Sequence, residues 1–99
     1  MADYRLSLSA KKDLIEIAQY GDDRYGVEQS NRYRDQLKQR FSVLAHQPLL
    51  YPAVDYIREG YRRSVCGVHS IYYRVEGGTV EIIRILKQQD PAVLKNKEE

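Results

Sequence analysis

One cysteine, Cys66, stands in 99 residues, alongside one phenylalanine, one methionine and no tryptophan. A lone thiol closes no internal disulfide, so a packed core must hold the fold, and a reducing compartment is the simple expectation. Six glycines and three prolines are too few for a collagen-like or low-complexity chain. No apolar run approaches the roughly 20 residues that a helix needs to cross a bilayer. The start, Met1-Ala2-Asp3-Tyr4-Arg5, sets no apolar segment behind a basic one, so no secretory signal is expected. Nor does one sign of charge dominate. Sixteen Lys+Arg against 14 Asp+Glu gives +2, too weak to mark a nucleic-acid binder by its total. The two histidines, His46 and His69, and the single cysteine have no ligand spacing, so no metal and no cofactor are expected. Gly77-Gly78 is followed by no Gly-Lys-Ser/Thr and is not a phosphate loop.

What is present is an ordinary globular composition, 42% hydrophobic and 30% charged, sized for one domain over residues 1–99. Nine tyrosines stand out. Between Tyr56 and Arg74 lie four arginines, Arg58, Arg62, Arg63 and Arg74, with Glu59 the one acid, and with Tyr56, Tyr61, Tyr72 and Tyr73 among them. Arginine and tyrosine together mark recognition surfaces more often than plain solubility.

Tyr4, Leu6 and Leu8 alternate with polar residues and would share one face of a strand. Ser9 then reads as a helix N-cap, with Asp13 near the positive end of the helix. Leu14, Ile17, Ala18, Gly21 and Tyr25 form one helical stripe, and Gly26 is a plausible stop. A second helix is expected from about Val27, with Tyr33, Leu37, Phe41 and Leu44 apolar, ending at Gln47-Pro48. The very short gap makes the two an antiparallel hairpin. From Tyr56 the period becomes two. Gly67 marks a tight connection or bulge, Glu76-Gly77-Gly78-Thr79 is a hairpin turn, and Val80–Leu86 is apolar enough on both faces to lie centrally in the sheet. The tail from residue 87 to 99 is expected to be only partly ordered, with Asp90-Pro91 opening a short helical turn.

The order β-α-α-β-β-β gives an α+β fold, a helical hairpin packed on one face of a mostly antiparallel four-stranded sheet. The other face is expected to stay open and to collect Arg and Tyr side chains. Tyr4, Tyr25, Tyr33 and Tyr73 fall on apolar stripes and are assigned to the core. Tyr56, Tyr61 and Tyr72 are contact candidates. His69, on a strand face with Ile71 and Tyr73, reads as a buried, hydrogen-bonded structural histidine, and His46 as a helix-terminal one. Arg84, among Val80, Ile82 and Leu86, must be paired or reach the sheet edge.

Four segments carry a resemblance. Tyr4-Arg5-Leu6-Ser7-Leu8-Ser9-Ala10 with Lys12–Ile17, Ile57–Arg63, His69–Arg74 and Ile83–Leu86 stand in the order and spacing of ParE toxins, and the chain resembles the ParE/RelE toxin superfamily from about Tyr4 to Leu94. The resemblance implies a toxin of a type II toxin–antitoxin module. It would inhibit DNA gyrase by trapping it on cleaved DNA, without catalysis, and would be neutralised by a ParD-like antitoxin in a hetero-oligomer. Nucleic acid would be met only through gyrase or the antitoxin, no membrane would be involved, and the location would be cytoplasmic. RelE relatives share the fold but cleave mRNA on the ribosome, so fold alone does not fix the chemistry. Here Lys87-Gln88-Gln89-Asp90-Pro91 follows the last strand, without the terminal Tyr, His or Arg of RelE-type nucleases. No catalytic residue is assigned. The candidate contacts with antitoxin or gyrase are Arg58, Tyr61, Arg62, Arg63, Tyr72, Arg74, Arg84 and Lys87. Two alternatives stay open: a RelE-like ribosome-dependent endoribonuclease, and an attenuated homologue retained for antitoxin binding and autoregulation.

Overall fold

A computed structural model describes residues 3–87. Strand β1 (Tyr4–Leu6) leads into helix α1 (Leu8–Tyr25) and helix α2 (Val27–His46), and strands β2 (Arg62–Cys66), β3 (His69–Glu76) and β4 (Thr79–Lys87) follow. The order β-α-α-β-β-β and the α+β class are as the sequence implies. The four strands form one sheet in the order β1-β4-β3-β2, with β1 parallel to β4 and the other pairs antiparallel. β4 is therefore central, as its apolar faces require.

The cap of α1 is Ser7 rather than Ser9. The Ser7 side chain accepts the Ala10 amide at 3.0 Å and donates to the Ile83 carbonyl at 2.7 Å. One hydroxyl thus starts the helix and ties it to β4, a double role that Ser9, two residues on, does not have. α1 stops where Gly26 takes φ +91°, and α2 begins at once. The helices close tightly at Gly21, where an added Cβ would sit 2.6 Å from the Ser30 hydroxyl oxygen.

The hairpin buries Leu37, Phe41 and Leu44 against Cys66, Ile71, Tyr73, Val80, Ile82 and Ile85, with Tyr4 and Tyr33 packed alongside. Tyr25 departs from its expected place. It lies on the last turn of α1, beyond the sheet, and is 56% exposed. Between β3 and β4, Gly77 and Gly78 both have positive φ, +58° and +80°, as a type I′ turn demands.

Strand pairing begins at Arg62, not at Tyr56. Residues 55–60 are wound into turns instead: the Ile57 and Arg58 amides donate to the Val54 carbonyl, and Asp55 Oδ1 accepts the Gly60 amide at 2.8 Å. This segment corrects a second expectation. It folds over the outer face of the sheet, where Val54 and Ile57 form a small core with Tyr72, flanked by Tyr61 and Leu86. That face is therefore not fully open, and Tyr72 is 3% exposed. No helix among the described residues is long and apolar enough to cross a membrane. The expected turn at Asp90-Pro91 lies outside the described residues.

Candidate functional site

The sheet sorts the eight candidate contacts by alternation and register. Tyr72 pairs with Arg63, which puts both on the outer face. Tyr61 packs on the same small core, and the Arg58 guanidinium lies over the Tyr61 ring, 5.8 Å from its centroid. Arg58, Tyr61, Arg63 and Tyr72 thus come together. Arg74 belongs to the same face, in a network where it donates to Glu81 at 2.9 Å and meets Glu76 at 3.0 Å, with Arg5 beside both acids. Its pKa is held up by the Glu81 hydrogen bond first and the Glu76 charge second.

The other three are engaged away from that cluster, although the register also sets Arg84 opposite Tyr72. Arg62 pairs with Tyr73 on the helix-facing side and donates to the Tyr51 carbonyl at 2.6 Å. Arg84 grips Asp13 with two hydrogen bonds, at 2.8 and 3.1 Å, and Asp13 Oδ2 also accepts the Ile85 amide at 2.9 Å. Arg84 therefore meets the sequence requirement twice: it is paired, and the pair seals the edge of β4 that short β1 leaves unmatched. The Asp13 hydrogen bond raises its pKa further. Lys87, at the end of β4, sits with its ammonium 5.0 Å from the Tyr20 ring centroid.

Lys87 opens onto a feature that the sequence alone did not reveal. A groove of about 710 Å³ runs between α1, α2 and the ends of β3 and β4. Its walls include Ile17, Tyr20, Tyr25, Tyr33, Val68 and His69. The Tyr33 hydroxyl lies 2.6 Å from His69 Nδ1, 3.2 Å from the Cys66 carbonyl, and 3.1 Å from the Val68 amide, which donates to it. This contact fits only because residue 67 is glycine: a Cβ there would stand 2.6 Å from the Tyr33 ring. Burial, and then the Lys87 charge, push the His69 pKa below its ordinary value, while burial raises that of Tyr33. The structural, hydrogen-bonded His69 of the sequence reading thus has its partner. Only the heptad-like spacing of Tyr33 with Leu37 hinted that α2 would aim a tyrosine at the sheet. Cys66 is buried, and His46 Nδ1 lies 2.9 Å from the Ser42 carbonyl one turn back. Among the described residues no three or more His, Cys, Asp or Glu are placed to hold a metal ion together.

Comparison with known proteins fixes the family. The model of the "ParE toxin of type II toxin-antitoxin system, parDE" matches residues 4–91. The chain belongs to the ParE toxin family. Toxin ParE1 of Caulobacter vibrioides is 43% identical over 88 residues, 89% of this chain and 91% of that protein. Toxin ParE1 of Mycobacterium tuberculosis is 39% identical over 87 residues, 87% of this chain and 89% of its own. Among solved structures, a chain of the chromosomal ParDE system from P. aeruginosa superposes with a TM-score of 0.79 at 19% identity, covering 90% of this chain and 98% of that one. A chain of the toxin–antitoxin complex RelBE2 from Mycobacterium tuberculosis gives 0.60 at 20% identity, covering 88% and 98%. At such identities these two speak for the ParE/RelE fold alone. Membership of the ParE family makes the chain a toxin of a type II toxin–antitoxin system.

Proposed function

We propose that this ParE-family toxin acts in the cytoplasm by binding DNA gyrase without catalysis, and that a ParD-like antitoxin neutralises it in a hetero-oligomer. The observation that carries the reading is the outer face of the sheet. There Arg58 over Tyr61 and Arg63 beside Tyr72 set forked cations on aromatic supports, a pattern suited to a protein or protein–DNA partner. Arg58, Tyr61 and Arg63 are the proposed contacts, joined by Arg74, which stays exposed although paired with Glu76 and Glu81, while the buried Tyr72 acts only as a support beneath them. Arg62, Arg84 and Lys87 stay as lesser candidates, since the first two are engaged within the fold and the third borders the groove.

RNA cleavage requires a base for the 2′-hydroxyl, an acid for the leaving oxygen and a cation for the phosphorane, arranged around one phosphate. On the outer face the arginines and phenols bind phosphate at neutral pH but move no proton readily, and the carboxylates Glu76 and Glu81 are held in ion pairs with Arg5 and Arg74. Binding is therefore the activity this face supports best.

The experiment is a supercoiling assay with purified gyrase and the full chain. Inhibition, with linear DNA released when the reaction is stopped by detergent and protease, and reversal by the antitoxin supports the proposal. Specific mRNA cuts on translating ribosomes, with gyrase unaffected, would replace it with the endonuclease reading. Tight antitoxin binding with neither activity would replace it with the attenuated one.

A further inference from the structure

The groove at the hairpin end of the molecule combines apolar walls with a small set of directed polar atoms, the usual make-up of a recognition site of this size. Counting protons at its polar atoms leaves two arrangements. The Tyr33 oxygen already accepts the Val68 amide at 3.1 Å. Its single proton has two possible acceptors, His69 Nδ1 at 2.6 Å and the Cys66 carbonyl at 3.2 Å. Donation to the Cys66 carbonyl would make Nδ1 the donor to the phenol, and donation to the nearer and more basic imidazole nitrogen is the arrangement that the inference takes. In the neutral ring Nδ1 is then the acceptor, and Nε2 must carry the proton. Burial favours that neutral ring. In that arrangement Tyr33 holds the tautomer of a histidine that lines the groove.

The charges around the groove point the same way. Asp13 is consumed by the Arg84 fork and the Ile85 amide, and Glu16, the other acid on the wall, acts on Arg84 as well. Lys87 has an aromatic face, Tyr20, against its ammonium, and His69 presents a donor. Of the wall carboxylates, Asp13 is turned to Arg84 and Glu16 lies within its electrostatic reach, and the donors facing a ligand are Lys87 and His69.

We infer that this groove receives a carboxylate borne on an apolar side-chain surface of a peptide partner, with His69 Nε2–H and Lys87 Nζ as the donors and Tyr33 as the residue that positions the imidazole. The identity of the peptide rests on the toxin–antitoxin reading: it is the antitoxin segment that covers the groove, and the inference requires that segment to place an acidic residue among apolar ones. Tyr20, Tyr25 and Val68, exposed at 47%, 56% and 56%, supply the surface that its apolar neighbours would cover.

The experiment uses the full chain with isotopically labelled histidine and a small probe, 3-phenylpropionate, with 3-phenylpropylamine as the cationic control. At pH 7.5 the ring-nitrogen shifts of His69 are expected to report Nε2–H, and Tyr33→Phe is expected to move them towards the other tautomer. Phenylpropionate is expected to shift the His69 and Tyr20 signals saturably, and the amine to leave them in place. Lys87→Met, which removes an exposed charge and leaves a folded protein by its amide spectrum, is expected to weaken the acid by about tenfold, the worth of one charge-assisted bond. An Nδ1–H tautomer, equal binding of acid and amine, or an affinity untouched by Lys87→Met would overturn the inference. None of these results bears on gyrase inhibition, so a failure here and a failure of the toxin reading are told apart.

Discussion

The two faces of the sheet are covered in different ways. On one side, two helices lay a continuous apolar stripe over Ile71, Tyr73, Val80, Ile82 and Ile85, and the polar groups at its margin are closed by specific partners: Ser7 with Ile83, Asp13 with Arg84 and Ile85, Tyr33 with His69. On the other side, an irregular segment lends only Val54 and Ile57 to cover Tyr72, and arginines and salt bridges fill the rest. The lesson is a division of labour. The helix side supplies most of the stability and has little freedom to change. The outer face contributes less to stability and can be shaped for a partner.

The comparison is broken most sharply at the two cores. Phe41→Ala empties a fully buried position against Tyr4 and is expected to cost about 3–5 kcal/mol, whereas Ile57→Ala, in the thinner layer, should fall near about 2 kcal/mol, the low end for its type. Urea unfolding of both variants checks this, and equal losses would remove the distinction. The next effect in size is Asp13→Ala, expected at about 2–3 kcal/mol because it strands the Arg84 charge and the Ile85 amide together. The pair Asp13→Leu with Arg84→Met is expected to recover the part of the loss due to the stranded charge and to leave the part due to the Ile85 amide, which a double-mutant cycle by thermal unfolding would read.

A smaller effect separates the faces by pH. His69 meets Tyr33 from α2, Cys66 from β2, and the charges of Lys87 from β4 and Asp13 from α1. Its pKa is lowered in the folded chain from the ordinary 6.5, so the unfolded chain binds the proton more readily. The stability that the neutral ring provides is therefore complete above about 6.5 and is lost as pH falls through that value towards the folded one. Chemical unfolding at a series of pH values should show this slope in the parent, and His69→Gln should flatten it.

Much of this architecture was legible in the residues. The helical hairpin followed from the stripe through Leu37 and Phe41, the Gly77-Gly78 turn from its need for positive φ, and the central place of β4 from its two apolar faces. The misreadings share a cause, which is that local pattern carries no information about distant partners. Ser7 and Ser9 are alike in a Leu-Ser-Leu-Ser run, and only the Ile83 carbonyl distinguishes them. Tyr72 looked exposed because its cover, Val54 and Ile57, lies in a segment with Pro52 and no period. Arg84 was known to need a partner, and Asp13 was noted for its place on the helix, but 71 residues of chain separate them. The split of the arginine cluster followed from register: Arg62 and Arg63 are neighbours in sequence and on opposite faces in the sheet.

The division of labour is tested most directly by Arg58→Ala with Arg63→Ala in the gyrase supercoiling assay, thermal unfolding being followed in parallel. The account predicts that about tenfold or more toxin is then needed for the same inhibition, as expected when hot-spot arginines are lost, with the unfolding midpoint little changed. Full inhibition by the double variant at the parent concentration would contradict it and place the acting surface elsewhere.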